Sequence, residues 1–186
     1  MSIASAAPIA APVVSALVPS TAPRLVFEVL GEPIPQGSMK PVNRPGQSYT
    51  QLVPDSPLLH PWRDRVRYAA MQAQGRHWEM IDGPVTLAAE FYVPKPKSRP
   101  KRRRTLPTTK PDLDKLVRAV GDALSAAGTY ADDARVTDLL PRVRYAEPDP
   151  ALALPWELPV PGVRIAVWEL DAERSWDDAP LVPFGA

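Results

Sequence analysis

The stretch KPDLDKLVRAVGDALSAAGTYADDARVTD, residues 110–138, places six aspartates in fewer than thirty positions. Laid on a helix from about residue 114 to 126, its apolar residues form one stripe and its charged residues fall on the opposite side. Gly128 is typical of a helix end, and the following ARVTDLLPRVRY has the composition of a strand. This stretch therefore predicts a helix, a turn and a strand that lies beside the helix, with aspartates in all three.

Outward from this stretch, short runs rich in branched and aromatic residues predict strands, and one run with helical spacing predicts a first helix. The predicted strands are 24–31, 83–94 and 162–170, and the predicted first helix is 57–74. Segment 32–46 is rich in proline and is expected to be a loop. Segment 146–162, with five prolines, is expected to be a long hairpin insertion between two strands.

Composition limits the classes of protein. A chain of 186 residues with net charge +1 allows one domain, expected at 24–170, with tails. The absence of cysteine excludes disulfides and thiolate metal sites. His60 and His77 are the only histidines, so a histidine-rich zinc site is disfavoured. Any metal is therefore expected to be Mg²⁺ or Mn²⁺ on oxygen ligands.

The two ends of the chain differ in composition from its middle. Residues 1–23 are rich in Ala, Pro, Ser and Val, and residues 171–186 are expected to form a loosely held C-terminal tail. The leader has no basic n-region and is broken by prolines, so we expect a flexible leader and a cytoplasmic protein, with a cryptic secretory signal as the alternative.

Segment 95–110 is a basic loop that contains no acidic residue. Its cations are Lys95, Lys97, Arg99, Lys101, Arg102, Arg103, Arg104 and Lys110. A solvated charge run and a nuclear localisation signal have the same composition. Because the loop runs directly into the acidic stretch, we favour contact with the phosphates of a nucleic acid, in which Arg102, Arg103 and Arg104 act as solvated contacts.

The aspartates allow two interpretations. Asp114, Arg118 and Asp122 are spaced for exposed i,i+4 ion pairs, and Asp114 alone is suited to an N-cap. Exposed ion pairs do not explain Asp112, which precedes the helix, or the adjacent pair Asp132 and Asp133. Carboxylates that converge near a helix N-terminus repel each other unless a cation lies between them, so a divalent metal site is the second interpretation, and the residues alone leave both open.

The motif KPDLDKLVRAVGDAL followed by DDARV resembles the RusA family of Holliday junction resolvases, and the early GEPIPQGSMKP is similar to a Gly-x-Pro-x-Pro segment of that family. The resemblance implies that Asp112, Asp114 and Asp133 are catalytic and bind Mg²⁺, for which Mn²⁺ can substitute, with Asp132 beside them. The family's catalytic lysine corresponds to Arg118, which keeps its proton, and Lys115 stands where the family has asparagine.

The resemblance further implies an α+β fold, a single domain in which a small mixed β-sheet is flanked by helices. It implies a homodimer that resolves four-way junctions by paired nicks in DNA recombination and repair. Its alternatives are a flap or fork nuclease and a branched-DNA-binding protein without catalysis. Lys115 joins the basic loop as a candidate DNA contact. The candidate dimer interface is apolar strand surface: Val85, Leu87, Phe91, Val163, Ile165 and Val167.

Overall fold

The computed structural model describes residues 22–37, 39–42, 51–54, 56–147 and 149–171. The predicted leader and tail lie almost entirely outside these ranges. The strands are β1 (Leu25–Leu30), β2 (Met39–Val42), β3 (Gln51–Pro54), β4 (Val85–Pro94), β5 (Val136–Ala146) and β6 (Gly162–Glu169). The helices are α1 (Leu59–Gln74) and α2 (Leu113–Ala126), and a 3₁₀ turn spans Asp133–Arg135.

Four strands form a mixed sheet in the order β1-β6-β4-β5. Strand β6 is antiparallel to both β1 and β4, whereas β5 is parallel to β4. Because β4 and β5 are parallel, the chain between them must return along the sheet, and α2 makes this crossover. The first turn of α2 therefore lies towards the carboxyl end of β4, and its last turn leads to the start of β5. This single α+β domain confirms the predicted fold class.

The core lies between one face of the sheet and the two helices. Strand β1 alternates buried and exposed residues, as expected for a strand with one covered face. Helix α2 buries the stripe that the sequence predicts, including Leu116, Val120 and Leu124, all at 0% exposure. Helix α1 contributes Trp62 and Val66 and packs beside α2. The core therefore fixes which side of α2 faces solvent.

Two predictions about connections are wrong. Met39–Val42 lies inside the segment expected to be a loop, yet it pairs antiparallel with Gln51–Pro54 in a separate two-stranded sheet. Segment 146–162 does not close a hairpin, because β4 lies between β5 and β6. Residues near the end of each strand set local turns, but only the pairing of distant strands sets the order of a sheet.

The candidate dimer interface is also corrected. All six apolar strand residues proposed for it are buried in the core, with exposures of 0–1%: Val85, Leu87, Phe91, Val163, Ile165 and Val167. The reason is that α1 and α2 cover the face of the sheet to which these alternating side chains point. Any dimer contact must use a different surface.

Candidate active site

Asp112 and Asp114 lie at the N-terminus of α2. Asp112 occupies the N-cap position with an extended backbone (φ −72°, ψ 134°), yet its carboxylate makes no capping hydrogen bond and is exposed. Asp114 lies in the first turn, with its side chain 70% exposed and 2.9 Å from the Lys115 ammonium. The hydrogen bond from Lys115 lowers the pKa of Asp114, so this carboxylate stays ionised. Two negative groups therefore stand in solvent at the positive end of the helix.

Asp132 and Asp133 lie beyond the other end of α2. The Asp132 carboxylate accepts a hydrogen bond from the Ala134 amide at 2.9 Å and so caps the 3₁₀ turn. Asp133 is the first residue of that turn and is exposed. Beneath them Tyr130 is fully buried, and its hydroxyl donates to the Gly121 carbonyl at 3.3 Å. Its pKa is raised, mainly by burial and further by the charges of neighbouring aspartates, Asp133 among them.

Helix α2 separates the two groups of aspartates. It has 14 residues and, at 1.5 Å per residue, is about 21 Å long. In the part of the chain that the structure describes, no group of three or more His, Cys, Asp or Glu side chains could hold a metal ion. One chain thus brings Asp112 and Asp114 to the same helix end but leaves Asp133 near the opposite end, and the three-carboxylate ligand set stays a prediction.

Arg118 lies one turn after Asp114 on the exposed side of α2. The expected i,i+4 ion pairs do not form: Asp114 pairs with Lys115, and Asp122 pairs with Arg63, 3.3 Å away. Among the described residues, the Arg118 guanidinium has no hydrogen-bond or ion-pair partner. Its guanidinium is therefore available to a ligand.

Gln36 is a residue of this region that the sequence analysis did not single out. Its side-chain amide donates to Asp122 at 2.8 Å, and its backbone amide donates to the Lys115 carbonyl at 2.9 Å. These bonds tie the proline-rich segment after β1 to the exposed side of α2. In the sequence, Gln36 is a single polar residue between Pro35 and Gly37. Such a short pattern does not indicate a contact with α2.

The basic loop presents some of its cations to solvent and uses others internally. Its exposed cations include Lys97, Lys101, Arg102, Arg103 and Lys110. Lys95 differs from the expectation of a solvated loop: its side chain is 4% exposed, and its ammonium lies 2.7 Å from the Glu147 carboxylate. Arg104 pairs with Glu157 through both guanidinium nitrogens, and this hydrogen bonding lowers the pKa of Glu157. The first residue of the basic loop, Lys95, and the last residue of its arginine run, Arg104, are thereby anchored to the domain.

Comparison with known proteins identifies the family, which the geometry alone does not show. The family model described as endodeoxyribonuclease RusA matches residues 31–154. The chain belongs to the RusA endodeoxyribonuclease family. The match covers two thirds of the chain and contains Gln36, the basic loop, α2 and the 3₁₀ turn. The RusA family comprises nucleases, hydrolases that cut DNA within a strand.

A similar protein is the uncharacterized protein YqaN of Bacillus subtilis (strain 168). It is 35% identical over 131 residues, which are 65% of this chain and 87% of YqaN.

In the described part of this RusA-family protein, no helix is long and apolar enough to cross a membrane.

Proposed function

We propose that this protein is a Mg²⁺-dependent endonuclease that resolves Holliday junctions by paired nicks in opposite strands. The observation that carries the proposal is the exposed pair Asp112 and Asp114 at the N-terminus of α2, directly after a basic loop, in a chain of the RusA family. Cations that attract the phosphate backbone and carboxylates that bind a metal are the two requirements of such a nuclease.

The residues fit a hard divalent cation. Asp112 offers a carboxylate with no capping bond, and Asp114 offers one whose pKa is lowered, so both present oxygen ligands of the kind that Mg²⁺ binds. Bound there, Mg²⁺ would supply a hydroxide near neutral pH and stabilise charge on the phosphate oxygens. Arg118, with free donors one turn away, can hold a phosphate group bidentately, and Lys115 can neutralise charge beside it.

Two carboxylates are an incomplete ligand set, and this supports a dimer. Within one chain Asp133 follows the end of α2, a helix about 21 Å long, whereas Asp112 and Asp114 lie at its start. A two-fold axis that sets two α2 helices side by side and antiparallel would bring Asp133 of the partner subunit to Asp112 and Asp114. Such an isologous contact creates two equivalent sites, which suits the approximate two-fold symmetry of a four-way junction.

A direct cleavage assay tests the proposal and its alternatives. The purified protein is incubated with a labelled four-way junction, a flap and a linear duplex of equal length, with Mg²⁺ or with EDTA. We expect paired nicks in the junction with Mg²⁺ only, little cutting of duplex, and a solution mass near twice 20.3 kDa. Preferential cutting of flaps would favour a flap nuclease, and Mg²⁺-independent binding without cutting would favour a non-catalytic protein.

A further inference from the structure

One tryptophan of segment 146–162 is exposed to solvent. Trp156 is 51% exposed, and Leu154, two residues earlier, is also exposed. In the part of the chain that the structure describes, the remaining tryptophans are buried or half-buried: Trp62, Trp78 and Trp168. A single exposed apolar residue is common and needs no explanation, so the surroundings of Trp156 decide whether it has a role.

The backbone around Trp156 is fixed to the domain. The Trp156 carbonyl accepts a hydrogen bond from Arg164 on β6. The Glu157 carboxylate accepts one from the Leu154 amide at 3.1 Å, which closes a tight turn across Trp156. Leu158 is 3% exposed and packs against buried residues of β4 and β5. The exposed ring is therefore presented from an ordered backbone, so little conformational freedom is lost when it binds a ligand.

The same turn is attached to the arginine run of the basic loop. Arg104 pairs with Glu157 through both guanidinium nitrogens, one of them at 2.6 Å, and donates to the Leu152 carbonyl at 2.8 Å. Trp156 directly precedes Glu157, and the exposed Arg103 directly precedes Arg104. The ring and the arginine are thus each one residue from the same ion pair. An exposed aromatic side chain therefore lies near exposed cations.

This surface lies at the end of the sheet where α2 begins. Because β4 and β5 are parallel, their carboxyl ends lie at the same end of the sheet. The basic loop follows β4 there, and segment 146–162 follows β5 there. Asp112 and Asp114 come directly after the basic loop, at the N-terminus of α2. The aromatic ring, the cations and the two carboxylates are therefore all at one end of the domain.

This combination of side chains suits a DNA strand with an unpaired base. Cations attract the phosphates of any sequence, aromatic rings stack on bases, and proteins that bind single strands combine the two. A paired base is already stacked between its neighbours and offers no free face to a further ring. A branch point supplies bases whose stacking is weakened and which cost little to expose.

We infer that Trp156 stacks on an unpaired base of the DNA strand whose phosphates the arginine run contacts. The inference rests on the proposed function, because it takes branched DNA as the substrate. Every base has a flat face, so the contact depends on the absence of pairing and tolerates any sequence. Trp156 thereby favours DNA with unpaired positions over linear duplex.

Binding to bulged DNA tests this inference without cleavage. Labelled duplexes that differ only at one central position, which is fully paired, an unpaired thymine or an unpaired abasic residue, are titrated in EDTA and followed by fluorescence anisotropy. Loss of one base–aromatic stack reduces affinity by about tenfold, so the thymine bulge should bind about tenfold more tightly than the abasic bulge. Trp156→Ala should remove most of this difference, and Trp156→Phe, which keeps an aromatic ring, should retain most of it.

Tyr68→Ala is the matched control. Tyr68 is an aromatic residue on α1 that is 58% exposed, with the Arg67 guanidinium carbon 4.8 Å from its ring centroid, and it belongs to neither the basic loop nor segment 146–162. This variant should keep the full tenfold difference. Trp156→Ala should bind the fully paired duplex as tightly as the unaltered protein does.

Three outcomes would overturn the inference and leave the nuclease proposal intact. The first is equal binding of the two bulges by the unaltered protein, and the second is an unchanged difference in Trp156→Ala. The third is equal weakening of all three DNAs in Trp156→Ala, which would mean that the ring supports the fold. Failure of the unaltered protein to bind any duplex or branched DNA would overturn both proposals.

Discussion

Two pairs of acidic residues near the carboxyl ends of β4 and β5 use their charges differently. At the end of β5 and in the segment after it, Glu147 and Glu157 are buried and paired with cations of the basic loop. At the start of α2, Asp112 and Asp114 stand in solvent, and the neighbouring Arg118 has no partner in the described chain. Charges paired internally hold the domain together, whereas charges left exposed are available to metal and DNA. Substitutions that separate stability from activity can test this contrast.

The largest expected effect is on cleavage. Asp112→Asn, Asp114→Asn and Asp133→Asn keep the size of each side chain but remove the charge that binds Mg²⁺, so junction cleavage should fall by about two orders of magnitude or more while binding persists. Single-turnover cleavage and anisotropy on one junction measure the two quantities. Asp64→Asn, an exposed acid on α1, is the control and should cut at the parental rate. Parental rates in all three site variants would mean that the site lies elsewhere.

Mixing two inactive variants shows whether the site is shared between subunits. If Asp133 comes from the partner, a mixed dimer of Asp114→Asn and Asp133→Asn chains contains one site with both changes and one unaltered site. Activity should then reappear as single nicks, because only one strand is cut per dimer, and few resolved duplexes should form. If each chain builds its own site, both sites carry a change and the mixture stays inactive. Nicking gels of co-refolded mixtures distinguish the two outcomes.

Removing a buried charge should lower the free energy of unfolding. Glu147→Gln leaves the Lys95 ammonium buried without a counter-charge, and breaking a buried ion pair lowers the free energy of unfolding by about 3 kcal/mol. Urea unfolding followed by tryptophan fluorescence measures this change. The exposed Asp64→Asn should leave the unfolding midpoint unchanged. A midpoint equally unaffected in Glu147→Gln would contradict the structural role given to the buried pair.

The smallest expected effect is on the salt dependence of DNA binding, and it should differ between neighbouring arginines of the basic loop. Arg102 and Arg103 are exposed and suited to phosphate contacts, and replacing both with Ala should reduce the log–log salt slope of DNA binding by about 0.9 for each phosphate that is no longer neutralised. Arg104→Ala removes the ion pair with Glu157 and should lower stability with little change in slope. A slope that changes only in Arg104→Ala would reverse the roles assigned to these side chains.

Local sequence patterns predicted most elements of the fold. The period of the apolar residues located both helices: α2 was expected at about 114–126 and spans Leu113–Ala126. The strands at residues 24–31, 83–94 and 162–170 appear within two residues of their predicted bounds. These features depend on neighbours within one or two turns, so they are readable from a short window. The hairpin of β2 and β3 was missed because prolines in both strands weaken that local signal.

The candidate site was predictable as a set of residues but not as a geometry. The order and spacing of the motif led to the family, which the comparison with known families confirms over residues 31–154. The sequence could not indicate that Gln36 would bond to Asp122, or that Lys95 would be buried against Glu147. Each of those partners is more than fifty positions away along the chain, and no local pattern encodes such a contact.

By itself, the sequence determined the secondary structure of the central stretch, the charge of the basic loop and the identity of the acids. Only the tertiary structure decided which charges remain available. Packing of α1 and α2 on the sheet buried the apolar strand residues expected at an interface, and the parallel placement of β4 and β5 put the length of α2 between Asp112 and Asp133. The physical reason is that propensity acts between neighbours in sequence, whereas burial and charge pairing act between neighbours in space.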